Sequence, residues 1–271
     1  MIEKTYRILD KRIQISLTED VKVPDVFERF CCPNGDADVT VLCDRETEMQ
    51  RCYGLGYLSG KGEKITNVFF SQKDRGQMLY SLADDYSHLH LQVDGHCAPD
   101  ILSELLMAGF YSFASLRQAL LLHASAVSYQ EKAVIFTAPS GVGKTTQAEL
   151  WQTHRNATII NGDKVFLTKD AERIIAWGSP WNGSSAYAEN MGVEDAAIVV
   201  LEQAEENEIR KLSGMEVLEK LLPHVFFPNW DARCEEAVLA LLDEVLARTE
   251  VYLLRCRADE DAVALVEKTV F

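Results

Sequence analysis

The residues best suited to chemistry lie in Ala138-Pro139-Ser140-Gly141-Val142-Gly143-Lys144-Thr145-Thr146. Gly141 and Gly143 carry no Cβ, so their backbone can wrap closely around a phosphate. The N–H groups of such a turn point inward, and a helix starting near Lys144 adds its positive end. Lys144 offers a point charge to outer phosphates, and Thr145 offers a hydroxyl to Mg²⁺. Ser140, Gly141, Val142, Gly143, Lys144, Thr145 and Thr146 are therefore the expected nucleotide-binding set. The pattern is G-x-x-x-x-G-K-[ST] with Ala138 at the first glycine. The chemistry such a turn would serve is phosphoryl transfer from ATP with Mg²⁺, which depends on positioning and charge neutralisation more than on covalent help.

Other residues could join this chemistry. Asp163 follows a short strand that can bring it beside the loop, to touch metal or substrate; it also suits a turn for conformational reasons. His123, on the strand before the loop, is a candidate base or phosphate carrier, or a satisfied core histidine. Trp181, in the loop over 178–185, can grip a ring or peptide or plug the core. Glu202 is a candidate second carboxylate or a solvated strand end. Arg255 and Arg257 can reach phosphate or pair with surface acids. His88 and His90 share a strand face, with His96 and Cys97 nearby. The alternation is also that of an ordinary half-buried strand.

Strand 133–137 enters the loop and helix 146–154 leaves it. Residues 121–128 form a strand that turns at 129–132 and pairs antiparallel with 133–137. A common nucleotide-binding α/β domain would more often give that strand parallel neighbours. Strands at 158–160, 165–168 and 174–177 follow, then 197–202 and a hairpin return at 208–212. Ser213 and Glu216 predict a capping box for a helix to Leu222. Pro223 and Pro228 bound an irregular joint. A helix over 235–249, a strand over 251–256 and a helix over 259–268 end the chain. Upstream, 6–9, 12–17, 39–43 and 65–70 are strand candidates, and Pro99 opens a helix over 101–108, ahead of Gly109. The expected organisation is an N-terminal α+β module over 1–98, a structural cap or a holder of a substrate or a partner, and a nucleotide-binding α/β domain over 99–271.

Composition narrows the partners. Of 271 residues, 47% are hydrophobic, enough for a substantial core. The net charge is −15, and no basic run offsets it, so nucleic acid and anionic membranes are not expected partners. The cysteines number seven, with no C-x-x-C, which argues against a disulfide framework or zinc ribbon and for a reduced, cytoplasmic location. The start MIEKTYRILDKR has no apolar h-region, so no signal peptide is expected. The most apolar stretch, 101–127, is broken by Glu104, Arg117, Gln118 and His123 and reads as core.

Three segments in this order, Leu122-His123-Ala124-Ser125-Ala126-Val127, Pro139 to Thr146, and Ile160-Asn161-Gly162-Asp163-Lys164-Val165, resemble the C-terminal domain of HPr kinase/phosphorylase and its HPr-kinase-like relatives. Some of those relatives accompany peptide-modification gene clusters. The resemblance runs from about Leu122 to the C-terminus. It implies a phosphoenolpyruvate carboxykinase-like P-loop domain with a mixed sheet, alongside the smaller N-terminal module. It also implies Lys144 on the phosphates, Thr145 on Mg²⁺, His123 near the transferred phosphate and Asp163 on the metal side. Gly162 stands where the family has the first acid of an Asp-Asp pair, the one tied to activating the acceptor hydroxyl. That departure counts against a strict HPr kinase and against phosphorylase activity.

The reading is thus an ATP- and Mg²⁺-dependent kinase with His123, Lys144 and Asp163 as catalytic residues and Thr145 and Asp163 on the metal. Its partners are a nucleotide and a hydroxyl-bearing peptide, protein or small molecule, with a homo-oligomer left open. The alternative is a catalytically weak nucleotide-binding regulator or scaffold, in which Gly162 marks lost catalysis. A carboxykinase-like lyase stands further off, because its substrate-binding arginines are not visible near the motif.

Overall fold

The computed structural model describes residues 1–18, 21–45, 66–72, 75–93 and 99–271, which fall into two units, Met1–Arg117 with Pro228–Glu235, and Gln118–Phe227 with Glu236–Phe271. The first unit opens on a hairpin of β1 (Ile2–Ile8) and β2 (Lys11–Leu17). Its two-residue turn is Leu9-Asp10, at φ 53° and 62°, the geometry that matches strand twist. β3 (Val39–Arg45), β4 (Thr66–Gln72), β5 (Arg75–Ser81) and β6 (His88–Val93) complete a six-stranded sheet in the order β1-β2-β3-β6-β5-β4.

Helix α1 (Pro99–Ser115) belongs to this first unit by compactness, whereas the sequence groups it with the residues that follow. It also runs through Gly109, where the sequence predicts an end at 108. A glycine inside a helix costs about 1 kcal/mol, but Phe110, Tyr111 and Phe113 beyond it are almost wholly buried. Burying such side chains stabilises by about 1.5–3 kcal/mol each, so packing outweighs the local penalty. No helix among the described residues is long and apolar enough to cross a membrane.

The second unit carries the loop. β7 (Ala119–Tyr129) and β8 (Lys132–Thr137) form the expected antiparallel hairpin, turning on Gln130 and Glu131 at φ 48° and 61°. Helix α2 (Lys144–Arg155) follows the loop and is stopped by Asn156 in a left-handed conformation. It begins at Lys144 rather than Thr146. β9 (Thr158–Asn161), β10 (Lys164–Asp170), β11 (Arg173–Trp177), β12 (Gly192–Gln203), β13 (Glu208–Lys211), β14 (Val225–Phe226) and β15 (Glu250–Cys256) complete the strands. The nine-stranded sheet runs β11-β10-β7-β8-β12-β15-β13, with β9 and β14 both on β7. β12 is parallel to β8 and to β15, while the pairs around β7 are antiparallel. The chain is therefore mixed α/β, and the loop strand has an antiparallel neighbour on one side and a parallel one on the other.

Helices α3 (Met215–Leu221), α4 (Ala232–Arg248) and α5 (Glu260–Val270) follow between and after these strands. α2 and α5 cover one face of the sheet. Trp151 and Ala148 of α2 and Val263 and Val266 of α5 pack with Val127, Val134 and Phe136 in one buried cluster. The capping box predicted at Ser213 does not form. Gly214, at φ 59°, precedes α3 with no side-chain cap, and Glu216 turns instead to the Arg210 guanidinium. A working N-cap is found at α5, where Asp259 accepts from Ala262 N at 3.1 Å.

Candidate functional site

The loop between β8 and α2 has the conformation that glycine permits. Gly141 and Gly143 sit at φ 81° and 123°, a region that costs other residues strain. No atom lies within 4 Å of where a Cβ would stand on either glycine. Their exposed faces look onto open space. Ala138 is fully buried and is not among the residues with positive φ, so the missing first glycine is not needed for conformation.

Lys144 is folded back into the loop. It is only 6% exposed, and its Nζ donates to Ala138 O at 3.0 Å and to Pro139 O at 3.4 Å. Burial lowers its pKa, the Asp163 carboxylate opposes that, and the Lys164 charge adds to the lowering. The start of α2 is pinned to the strands beside it: Ser125 Oγ donates to Lys144 O at 2.7 Å, and Thr145 Oγ1 donates to Gly162 O at 3.2 Å.

Asp163 reaches the same neighbourhood through a turn built by Asn161. The Asn161 Oδ1 accepts from Asp163 N and Lys164 N at 2.8 and 2.9 Å, while its Nδ2 donates to Ser179 O at 2.8 Å. In the β7–β10 pair, Lys164 is the partner of His123, and Ala124 N donates to Asp163 O at 2.9 Å. His123 Nε2 then lies 3.2 Å from Asp163 Oδ1, and Lys164 Nζ 2.5 Å from Asp163 Oδ2. Burial alone would raise the Asp163 pKa. The hydrogen bonds and charges of His123 and Lys164 outweigh it and hold the carboxyl well below its ordinary value.

The Gly162 position is closed to a side chain. A Cβ there would stand 2.1 Å from Ser185 Oγ and 2.6 Å from Ser185 Cβ. Across the site, the left-handed Gly183 brings its backbone against Asp163: a Cβ on Gly183 would fall 2.7 Å from Asp163 Cγ. The 178–185 loop thus acts as backbone rather than through its tryptophan. Trp181 is buried, its ring 6.0 Å from that of Phe166, so of its two readings the core one holds.

Two clefts flank the loop. One, of about 340 Å³, is lined by Gly141, Gly143, Thr146, Gln147, Cys256 and Arg257 among others. The other, of about 500 Å³, includes Pro139, Val142, Glu202, Glu219, Lys220 and His224. Glu202 lines both and is ion-paired with Lys220 at 2.5 Å. Arg255 faces Glu208 at 3.7 Å and Arg257 faces Asp259 at 2.8 Å, which is the surface-pairing alternative for both.

In the first unit, His88 Nδ1 lies 2.7 Å from Thr40 Oγ1 and His90 Nε2 2.9 Å from Asp44 Oδ2. His96 and Cys97 lie outside the described residues. Among the described residues no three His, Cys, Asp or Glu side chains form a metal-holding group. A Mg²⁺ of the kind held by one or two protein oxygens plus phosphates and water needs no such group. Thr145 and Asp163 fit that kind: the Thr145 hydroxyl is bonded to the carbonyl of the residue preceding Asp163.

Sequence reasoning missed three contributors. Asn161 lies in the Ile160–Val165 segment, and an Asn before Gly-Asp is a turn-former whose side-chain oxygen can accept from N–H groups two and three residues on. Gln147 is 3% exposed at the edge of the smaller cleft. His224 lies at the joint between Pro223 and Pro228, where β14 has only two residues and no periodicity to read.

No protein-family model and no curated protein matches this chain. Among solved structures, the HPr(Ser) kinase/phosphatase from Coxiella burnetii aligns with 55% of this chain and 93% of its own, at 11% identity and a TM-score of 0.34.

Proposed function

We propose that this chain is an ATP- and Mg²⁺-dependent phosphotransferase that moves the γ-phosphate to a hydroxyl of a peptide, a protein or a small molecule. The observation that carries the reading is the pair of left-handed glycines, open on one face, beside a lysine folded into the same turn. Glycine is required there by conformation, and the open face is what a phosphate would occupy. Residues 140–146 would hold the phosphates, with Lys144 exchanging its carbonyl partners for phosphate oxygens. Thr145 and Asp163 would hold the metal.

When bound, MgATP supplies the phosphoryl group and the cation that neutralises it. The protein's own part is positional. His123, tethered through Nε2 to Asp163, stands beside the loop strand and is the group proposed to deal with the acceptor proton. Asp163 fixes its ring. A second reading, a nucleotide-binding regulator, is favoured by one observation. Both Asp163 oxygens are already engaged by His123 and Lys164, and Gly162 supplies no further acid.

ADP formation from ATP separates the two. The phosphotransferase reading expects Mg²⁺-dependent ADP release that rises when serine- or threonine-containing peptides are added. Nucleotide binding with no ADP release above buffer, with or without such peptides, would leave the regulator.

A further inference from the structure

β14 pairs with β7 through Val225↔Leu122 and Phe226↔Leu121. One residue further along that antiparallel register, His224 comes alongside His123. The pair shares a setting: the Phe226 ring lies 6.5 Å from the His123 ring, and Lys164 Nζ lies 5.8 Å from the Phe226 centroid. Burial lowers the His224 pKa, and the charges of His123 and Lys144 lower it further. His224 therefore stands near both the loop lysine and His123. Its imidazole makes no hydrogen bond within the described residues, and it lines the cleft of about 500 Å³.

The two clefts share a wall of Val142, Leu201, Glu202 and Gln203. The smaller contains both left-handed glycines and Thr146, and so belongs to the nucleotide in the reading above. The larger has no glycine from the loop but has Pro139 on one side and His224 on another. Its charges are Glu202, Glu219 and Lys220, and Lys220 is engaged by Glu202. Glu219 is exposed and leaves the cleft with a net negative charge, in a protein whose own net charge is −15. An anionic chain would be repelled from it.

We propose that the larger cleft binds the acceptor, that His224 hydrogen-bonds the acceptor hydroxyl and presents it to His123 and Asp163, and that Glu219 selects a neutral or cationic chain around that hydroxyl. This rests on the phosphotransferase reading. It adds a substrate-contacting residue and a charge class for the substrate.

The test uses the full-length protein labelled with ¹⁵N-histidine. The probes are three N-acetylated, amidated tripeptides with serine between two lysines, two alanines or two glutamates. Each is titrated with and without Mg²⁺ and a non-hydrolysable ATP analogue. The His224 signal is identified by its loss in His224→Gln. The lysine and alanine peptides are expected to shift it, and the glutamate peptide to bind at least tenfold more weakly than the lysine one. Glu219→Lys, an exposed change, is expected to reverse that order. His224→Gln is expected to weaken the lysine peptide by about tenfold, the scale of one lost hydrogen bond. If no peptide shifts the His224 signal in either condition, or if Glu219→Lys leaves the order unchanged, the proposal falls. Absence of analogue binding by calorimetry sinks the nucleotide reading instead, and is read independently of the peptide shifts.

Discussion

His123 on β7 and Asp163 at the head of β10 meet at 3.2 Å, Nε2 to Oδ1, because Lys164, the residue after Asp163, is the in-register partner of His123. A one-residue slip of β10 would turn Lys164 to the other face of the sheet and break the contact. The register is held by Val165, Phe166 and Leu167, all fully buried, and by the Asn161 turn that precedes them.

The Asp163 carboxyl titrates below its ordinary value, so its share of stability has a definite pH window. It is fully present above the unfolded-state pKa of about 3.9 and is lost as pH falls toward the folded value. The urea midpoint of wild type should therefore exceed that of Asp163→Asn by a constant margin from pH 7 to about pH 5, and the margin should shrink below about pH 4. A margin that persists undiminished at pH 3 would show that the carboxylate is not held low by its partners.

Much of the site's frame is legible in the sequence. The strand–glycine turn–helix order, the antiparallel partner before the loop and the acidic turn after it all follow from local patterns: β-alternation, two-residue turns and glycine spacing. What is not legible is long-range. Nothing local says that Lys164 sits opposite His123, or that Val225 and Phe226 add a short strand to β7. Trp181 could equally have faced outward. Its burial is decided by Phe166, fifteen residues away in sequence but its neighbour in the fold. The capping box at Ser213 failed because Glu216 found Arg210 across the hairpin end, a pairing the motif cannot anticipate.

Gly162 is a steric requirement. Gly162→Ala should destabilise the protein by about 1–3 kcal/mol, the usual cost of overpacking, because the new Cβ meets Ser185. Gly162→Asp faces the same obstacle. Ser185→Gly in the same chain should recover most of the loss, and a double-mutant cycle of denaturant midpoints measures it. Additive effects of the two changes would mean that Ser185 is not the obstacle.

In the proposed reading, residues 140–146 bind the phosphates of ATP with Lys144 as their charge partner. Calorimetric titration of MgATP into wild type and Lys144→Ala tests it directly. Lys144 is folded against Ala138 O and Pro139 O, so it must leave two neutral partners for charged ones. A charge-assisted hydrogen bond contributes about 1.5–3 kcal/mol. Wild type is expected to bind saturably, and Lys144→Ala with an affinity roughly tenfold or more weaker. Equal affinities for the two proteins, or no heat of binding in wild type, would contradict it.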